Sequence, residues 1–380
     1  MAYRGGMTSL DTFAAAFDED AGYLDFAKMG PPGHAVLAEQ RAFDHLLGRS
    51  RFGSLDALAA QDSRVRSAIG ALIGFRPDQV AFQPNTSTGL MHAMFGLTGK
   101  VAVAASEYPS ITFAASRAAE ALHVVEPQWL SPDRGRVTPG ALRDALDPAC
   151  VAVAVSLVDF RTGYLADLDG IRQVIGDRLL IVDAIQGLGV VDAPFEVADV
   201  VVSGGQKWTR AGWGTGFLAM SDRAAEQLVP VFSGFSATDA DPMPLDEVLP
   251  PTSGARAFTV TNADPVAQAR LSAALEQILG VGVPAISARI AERVSAIIDL
   301  ADEFAIPVES SRAENERAGI VVLAPDADQL TVLTASLFNH GITATTRSGR
   351  VRLSAHVSTG EDSLLLLREA FLGFATAITV

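Results

Sequence analysis

The 380-residue sequence predicts an α/β protein: a large domain on a mainly parallel sheet with flanking helices, followed by a smaller α+β C-terminal domain. Three observations carry that expectation. Short continuous Val/Ala/Ile/Leu runs, the pattern of strands covered on both faces, recur through the first two thirds of the chain. Segments of helical length separate them. Pro242, Pro244, Pro250 and Pro251 then break the alternation before a long helical stretch opens the last third.

In chain order, strands are expected at 79–83, 101–105, 151–156, 179–183, 199–203 and 216–220, and helices at 88–97, 111–121, 139–146, 168–175 and 224–228. Residues 233–260 read as a connecting segment. Helices follow at 265–279 and 284–303, then a βαβ-like tail: strand 320–324, helix 329–340, strands 343–346 and 351–354, and a last helix from residue 361. The implied division is an N-terminal arm over 1–20, a large domain over 21–260 and a smaller domain over 261–380, and a chain of this length supports two hydrophobic cores.

Composition narrows the partners. Apolar residues make up 49% and charged residues 19%, which suits a compact chain rather than a disordered one. A net charge of −15 argues against nucleic acid, whose phosphates demand clustered Lys and Arg, and leaves a small metabolite as the expected partner. Cys150 is the single cysteine, so neither an internal disulfide nor a Cys-based metal site is expected, and a reducing, cytoplasmic setting is. No apolar run approaches the roughly 20 residues of a membrane span, and the start of the chain lacks the apolar core of a signal peptide. The cations are skewed to 26 arginines against three lysines, Lys28, Lys100 and Lys207. An arginine stays protonated, whereas a desolvated lysine can lose its proton and attack a carbonyl.

Three strand ends carry polar residues. Pro84-Asn85-Thr86-Ser87-Thr88-Gly89 follows a strand and opens a helix, where backbone N–H groups and hydroxyls suit a phosphate, although an ordinary N-cap uses the same residues. Asp183 closes an apolar strand, either as a cap or as a carboxylate for a ring nitrogen, since ligands gather outside the carboxyl ends of parallel strands. Ser203-Gly204-Gly205-Gln206-Lys207-Trp208 runs from a strand through a Gly-Gly turn into lysine. A surface role fits Lys100 far better. Phosphate, ring nitrogen and an aldehyde awaiting an amine are together the parts of pyridoxal 5′-phosphate (PLP).

With these motifs the chain resembles the class V aminotransferase group of fold-type-I PLP enzymes, which includes cysteine desulfurases, kynureninases and isopenicillin N epimerase. The resemblance runs from Tyr23-Leu24-Asp25-Phe26 to the last helix and is densest from Ser156 to Met220. It implies a seven-stranded-type sheet and a homodimer. Thr86 and Ser87 would hold the phosphate with Ser203 nearby, Tyr108 would stack on the ring, Asp183 would pair with its nitrogen and Gln186 would approach its hydroxyl. Lys207 would carry the cofactor as an imine and shuttle the α-proton. Arg352 would grip the substrate carboxylate, with a local pairing to Glu361 or Asp362 as the alternative. Thr261, in Val260-Thr261, stands where relatives lend the neighbouring subunit's phosphate site a Gly-Thr pair. The pattern departs from many relatives at Gln206, where they carry His, and at Ser156-Leu157-Val158, where they carry Ser-His-Val.

The expected activity is that of a PLP enzyme acting on a small amino acid. Transamination comes first. Cβ cleavage of a C–S or C–C bond, racemisation or epimerisation, and a PLP-binding protein without turnover stay open. Residues 345–350 contain no cysteine, which argues against the desulfurase reaction. Arg161, Arg347 and Arg350 are either solvated or an added cationic surface for a second acidic group on the substrate.

Overall fold

The computed structural model describes residues 8–239, 244 and 246–379, so residues 1–7 of the expected arm and part of the expected connecting segment lie outside the described residues. The chain opens with α1 (Leu10–Ala14), α2 (His34–Arg49) and α3 (Ser54–Ile73), then runs through β1 (Val80–Phe82), α4 (Thr86–Gly96), β2 (Gly99–Ala104), α5 (Pro109–Arg117) and β3 (Val125–Leu130). It continues with α6 (Pro139–Ala145), β4 (Cys150–Ser156), α7 (Leu168–Ile175), β5 (Leu179–Asp183), β6 (Val200–Gly204), β7 (Gly216–Met220) and α8 (Asp222–Gln227). The last part holds α9 (Pro265–Val281), α10 (Val283–Glu303), β8 (Ile320–Leu323), α11 (Leu330–Asn339), β9 (Thr345–Arg347), β10 (Arg350–Ser354) and α12 (Glu361–Thr379).

Seven strands form one sheet in the order β1-β7-β6-β5-β4-β2-β3. Strands β3, β2, β4, β5 and β6 run parallel, while β7 is antiparallel to both β6 and β1. β5, β6 and β7 are buried at every residue, and their alternate side chains feed two separate cores. Val182 and Val201 join one, Ile181, Val200 and Val202 the other. Burial on both faces is why these strands read as continuous apolar runs. β3 was not expected, because Glu126, Pro127 and Gln128 interrupt its pattern; it is an edge strand, the position where proline is tolerated. The early helices were not expected either; α2 fully buries only Val36, whereas α3 buries Leu58, Val65, Ala68, Ile69 and Ile73.

The tail follows the expected order of elements, with β10 inserted between β8 and β9 and paired with both. Its sheet is antiparallel, in the order β8-β10-β9. Ser348 and Gly349, with φ of 50° and 76°, form a two-residue turn of the twist that folds a hairpin, and this turn joins β9 directly to β10. The N-terminal segment ties into the same sheet, with Asp25 bridged to Ser354 and Tyr23 to Thr343. Among the described residues no single helix is long and apolar enough to cross a membrane.

One close backbone approach ties the N-terminal segment to the turn after β6. Gly30 N–H donates to the Gln206 carbonyl at 2.9 Å, and a Cβ at residue 30 would lie 2.1 Å from the Lys207 carbonyl oxygen. Only glycine fits without displacing that turn. Gly30→Ala is therefore expected to lower stability by about 1–3 kcal/mol, read from the denaturant midpoint at constant slope. An unchanged midpoint would show that the approach is dispensable.

Candidate active site

The carboxyl ends of β5 and β6 lie side by side, with Asp183 in register with Val202. Asp183 is 2% exposed and Lys207, in the turn after β6, is 8% exposed. Burial lowers the Lys207 amine to about 8, against the opposing pull of the Asp183 carboxylate. Burial likewise raises Asp183 to about 6, opposed by the Ile185 N–H at 3.0 Å and by the Lys207 charge. Among the described residues no carboxylate pairs with the Lys207 amine; the ring of Tyr108, at the N-cap of α5, lies 5.4 Å from it. The other lysines are engaged or solvated. Lys100 bonds Asp147 at 2.7 Å and Glu126 at 2.9 Å, and the Lys28 side chain is 73% exposed.

The N-terminus of α4 faces the same turn. Asn85 caps it by accepting from Thr88 N–H at 2.9 Å. The Thr86 hydroxyl is buried without a hydrogen-bond partner. A Cβ on Gly204 would sit 3.1 Å from that hydroxyl and 2.4 Å from Gln206 Oε1, so glycine keeps a polar cradle open there. Ser87 shares a 2.7 Å bond with Ser110, and the fully buried Ser203 donates to the Gly204 carbonyl at 3.1 Å. The Gln186 side chain donates to the Ala27 carbonyl at 2.9 Å and accepts from the Trp208 indole at 2.8 Å, which fixes the residue that follows Lys207. Thr261 is not brought to Lys207 within one chain; it lies exposed in a groove with Ser236 and Gln268.

Arg352, on β10, donates to the Phe160 carbonyl at 3.1 Å and lies 3.6 Å from Asp25. Its pKa is lowered by burial, and its Nε is buried with no partner. Glu361 pairs with Arg293 at 2.5 Å instead. Phe160 packs edge-on against Tyr108 with centroids 5.0 Å apart, which links Arg352 to the ring beside Lys207. Two buried carboxyls escaped the sequence reading. Asp25 accepts from the Thr345 hydroxyl at 2.8 Å. Glu107 accepts from Ser156 N–H at 3.0 Å and from its hydroxyl at 2.5 Å, and burial raises it to about 7. Glu107 follows β2 much as Asp183 closes β5, so the strand-end rule that found one could have found the other.

A model of the aminotransferase class-V family matches residues 47–321. The chain belongs to the class V aminotransferase family. It is 28% identical to a probable hercynylcysteine sulfoxide lyase of Mycobacterium tuberculosis, over 98% of this chain and 95% of that one. To a probable cysteine desulfurase of Methanothermobacter thermautotrophicus it is 26% identical over 56% of each. Among solved structures, a C-DES mutant with glycine covalently linked to its PLP cofactor superposes with a TM-score of 0.84 at 18% identity, covering 92% of this chain and 96% of that one. An apo cysteine desulfurase from Thermococcus onnurineus gives 0.81 at 18%, covering 92% and 93%. These two likenesses show the fold.

This class V protein is a PLP-dependent enzyme, a transferase or lyase acting on an amino acid. Its residues fit that cofactor: an orphaned hydroxyl at a helix N-terminus for an anion, a buried amine without an ion pair, and a buried carboxyl one strand away.

Glu107 gives a pH signature. Its folded pKa of about 7 exceeds the ordinary 4.5, so the folded apoprotein holds a proton that the unfolded chain releases. Stability present below 4.5 is lost as pH rises towards 7. Glu107→Gln removes that loss, so the apoprotein melting-temperature difference, variant minus wild type, is expected to grow between pH 5 and pH 8. A difference that stays constant would rule out the buried proton.

Proposed function

We propose that the enzyme carries PLP on Lys207 and cleaves the Cβ–S bond of a cysteine-derived amino acid by β-elimination. One observation carries the choice of reaction. The β9–β10 hairpin beside Arg352 offers Thr345-Thr346-Arg347-Ser348-Gly349-Arg350 and no cysteine, while the curated relatives are named for breaking C–S bonds. Cys150 is buried at the start of β4, bonded to Gln128 at 3.2 Å, and cannot take up sulfur at the site. With no thiol to accept it, the sulfur departs with its own substituent. One substrate and one water then yield the sulfur product, a 2-oxo acid and ammonia.

The bound cofactor supplies an electron sink for the charge that develops at Cα. In this reading Lys207 is its attachment point. With a pKa of about 8, the Lys207 amine is partly neutral at physiological pH and able to take the α-proton. Asp183, as the carboxylate, pairs with the ring nitrogen. Thr86 and the N–H groups of α4 hold the phosphate, with Ser87 and Ser203 at the rim, and Tyr108 covers one face of the ring. Gln186 anchors Trp208 and keeps the lysine turn in place. Arg352 binds the substrate carboxylate through its fork. A second copy would complete the phosphate site through Thr261, so a cytoplasmic homodimer is the proposed setting.

Incubation with an S-substituted cysteine is expected to release pyruvate and ammonia in equal amounts without an added 2-oxo acid. Transfer of the amino group to an added 2-oxo acid, with no pyruvate formed, would overturn the lyase assignment. Borohydride reduction should place the pyridoxyl group on Lys207; recovery on Lys28 or Lys100 refutes the attachment. Asp183→Asn is expected to retain the cofactor and lose about 10²–10³ in kcat, as removal of one stabilising group at developing charge does, whereas near-normal turnover excludes its role.

A further inference from the structure

Next to Arg352 lies a cavity of about 320 Å³ between the Phe160–Thr162 segment and the β9–β10 hairpin. Lys207 does not line it; the two connect through Tyr108, which touches Phe160. The lining is charged and one-sided. Arg134, Arg161, Arg347, Arg350 and Arg352 contribute five guanidiniums and Glu309 the one carboxylate, with Phe160 and Val322 as apolar wall.

Four of these arginines have a carboxylate partner. Arg350 pairs with Glu309 at 2.5 Å and Arg161 with Asp159 at 3.2 Å. Arg134 lies 4.0 Å from Asp133, and Arg352 lies 3.6 Å from Asp25. Arg347 has no carboxylate within ion-pair distance among the described residues. It lies over the ring of Phe160 at 5.7 Å, with Arg161 at 5.9 Å from the same ring centroid. Two guanidiniums therefore share one aromatic ring, and one positive charge is left over. Arrangements of this kind are relieved by an anion, which a guanidinium fork binds bidentately.

We propose that this cavity receives the distal end of the amino-acid substrate, that this end carries an anion such as a carboxylate, and that Arg347 is its principal ligand. The inference rests on Arg352 holding the α-carboxylate, which divides the work: one arginine for each end of a dianionic substrate. Phe160 lies between the two and packs against the connecting chain. The substrate class is an amino acid with an extended side chain ending in an acid, and not a short neutral one.

L-2-aminosuberic acid and its ω-amide have the same length and differ only in the terminal charge. Neither contains a C–S bond, so binding can be measured at equilibrium by calorimetry on the holoenzyme. The acid is expected to bind about tenfold more tightly than the amide, a typical gain for one charge-assisted pair. Arg347→Gln is expected to erase that preference and Arg347→Lys to restore part of it. Equal affinity for acid and amide in the wild type, or a preference that survives Arg347→Gln, overturns the proposal. The two readings fail separately. A preference for the acid without cleavage of S-substituted cysteines supports the subsite and removes the lyase assignment, whereas cleavage without the preference removes the subsite alone.

Discussion

Everything at this site depends on two ionisable groups, Lys207 and Asp183, being buried at the ends of neighbouring parallel strands. Burial disfavours the charged form of each, and each charge partly supports the other. The result is an amine that gives up its proton at nearly physiological pH and a carboxyl that gains most from a cation placed against it. A parallel sheet supplies this arrangement because successive strands end on the same edge, and the crossover between β5 and β6 brings the two ends into register. The N-terminus of α4 adds positive potential at that edge without adding a side-chain cation.

Holding such a pair in place requires support from remote parts of the chain. Arg210, three residues past the lysine and 1% exposed, pairs with Glu19, lies 3.6 Å over the ring of Phe17 and donates to the Pro31 carbonyl at 2.6 Å. It also donates to Ser358 at 2.9 Å. His356 packs beside it, stacked on Phe26, and is kept neutral by burial. The N-terminal segment, the lysine turn and the strand exit after β10 thus form one unit around a buried guanidinium. A buried ion pair is a poor source of net stability, but losing one partner strands the other. Its value here lies in geometry, since Arg210 N–H also closes the turn on the Lys207 carbonyl at 3.1 Å.

The sequence made some of this legible and hid the rest for identifiable reasons. Asp183 and Lys207 stood out because continuous apolar runs end on them, a local pattern. Arg352 is singled out by the family resemblance alone, since it sits inside a short strand and no apolar run ends on it. Asp25 could not, because its bond to Thr345 spans 320 positions. Nor could Arg210, whose partner Glu19 lies in a segment without regular structure. β3 hid behind the proline that its edge position permits. In the tail the order of elements was legible and the pairing was not: Ser348-Gly349 joins β9 directly to β10, and that turn aims Arg347 and Arg352 at one cavity.

The scarcity of lysine has a consequence outside the active site. PLP is a reactive aldehyde that condenses with any accessible neutral amine, so a surface rich in lysine would scavenge it in unproductive adducts. Of the three lysines here, Lys100 is neutralised by two carboxylates and held protonated, and Lys28 lies beside a carboxylate. Arginine provides the surface cations without offering an imine-forming nitrogen. The chain therefore offers an aldehyde few competing side-chain amines, which limits labelling away from the site.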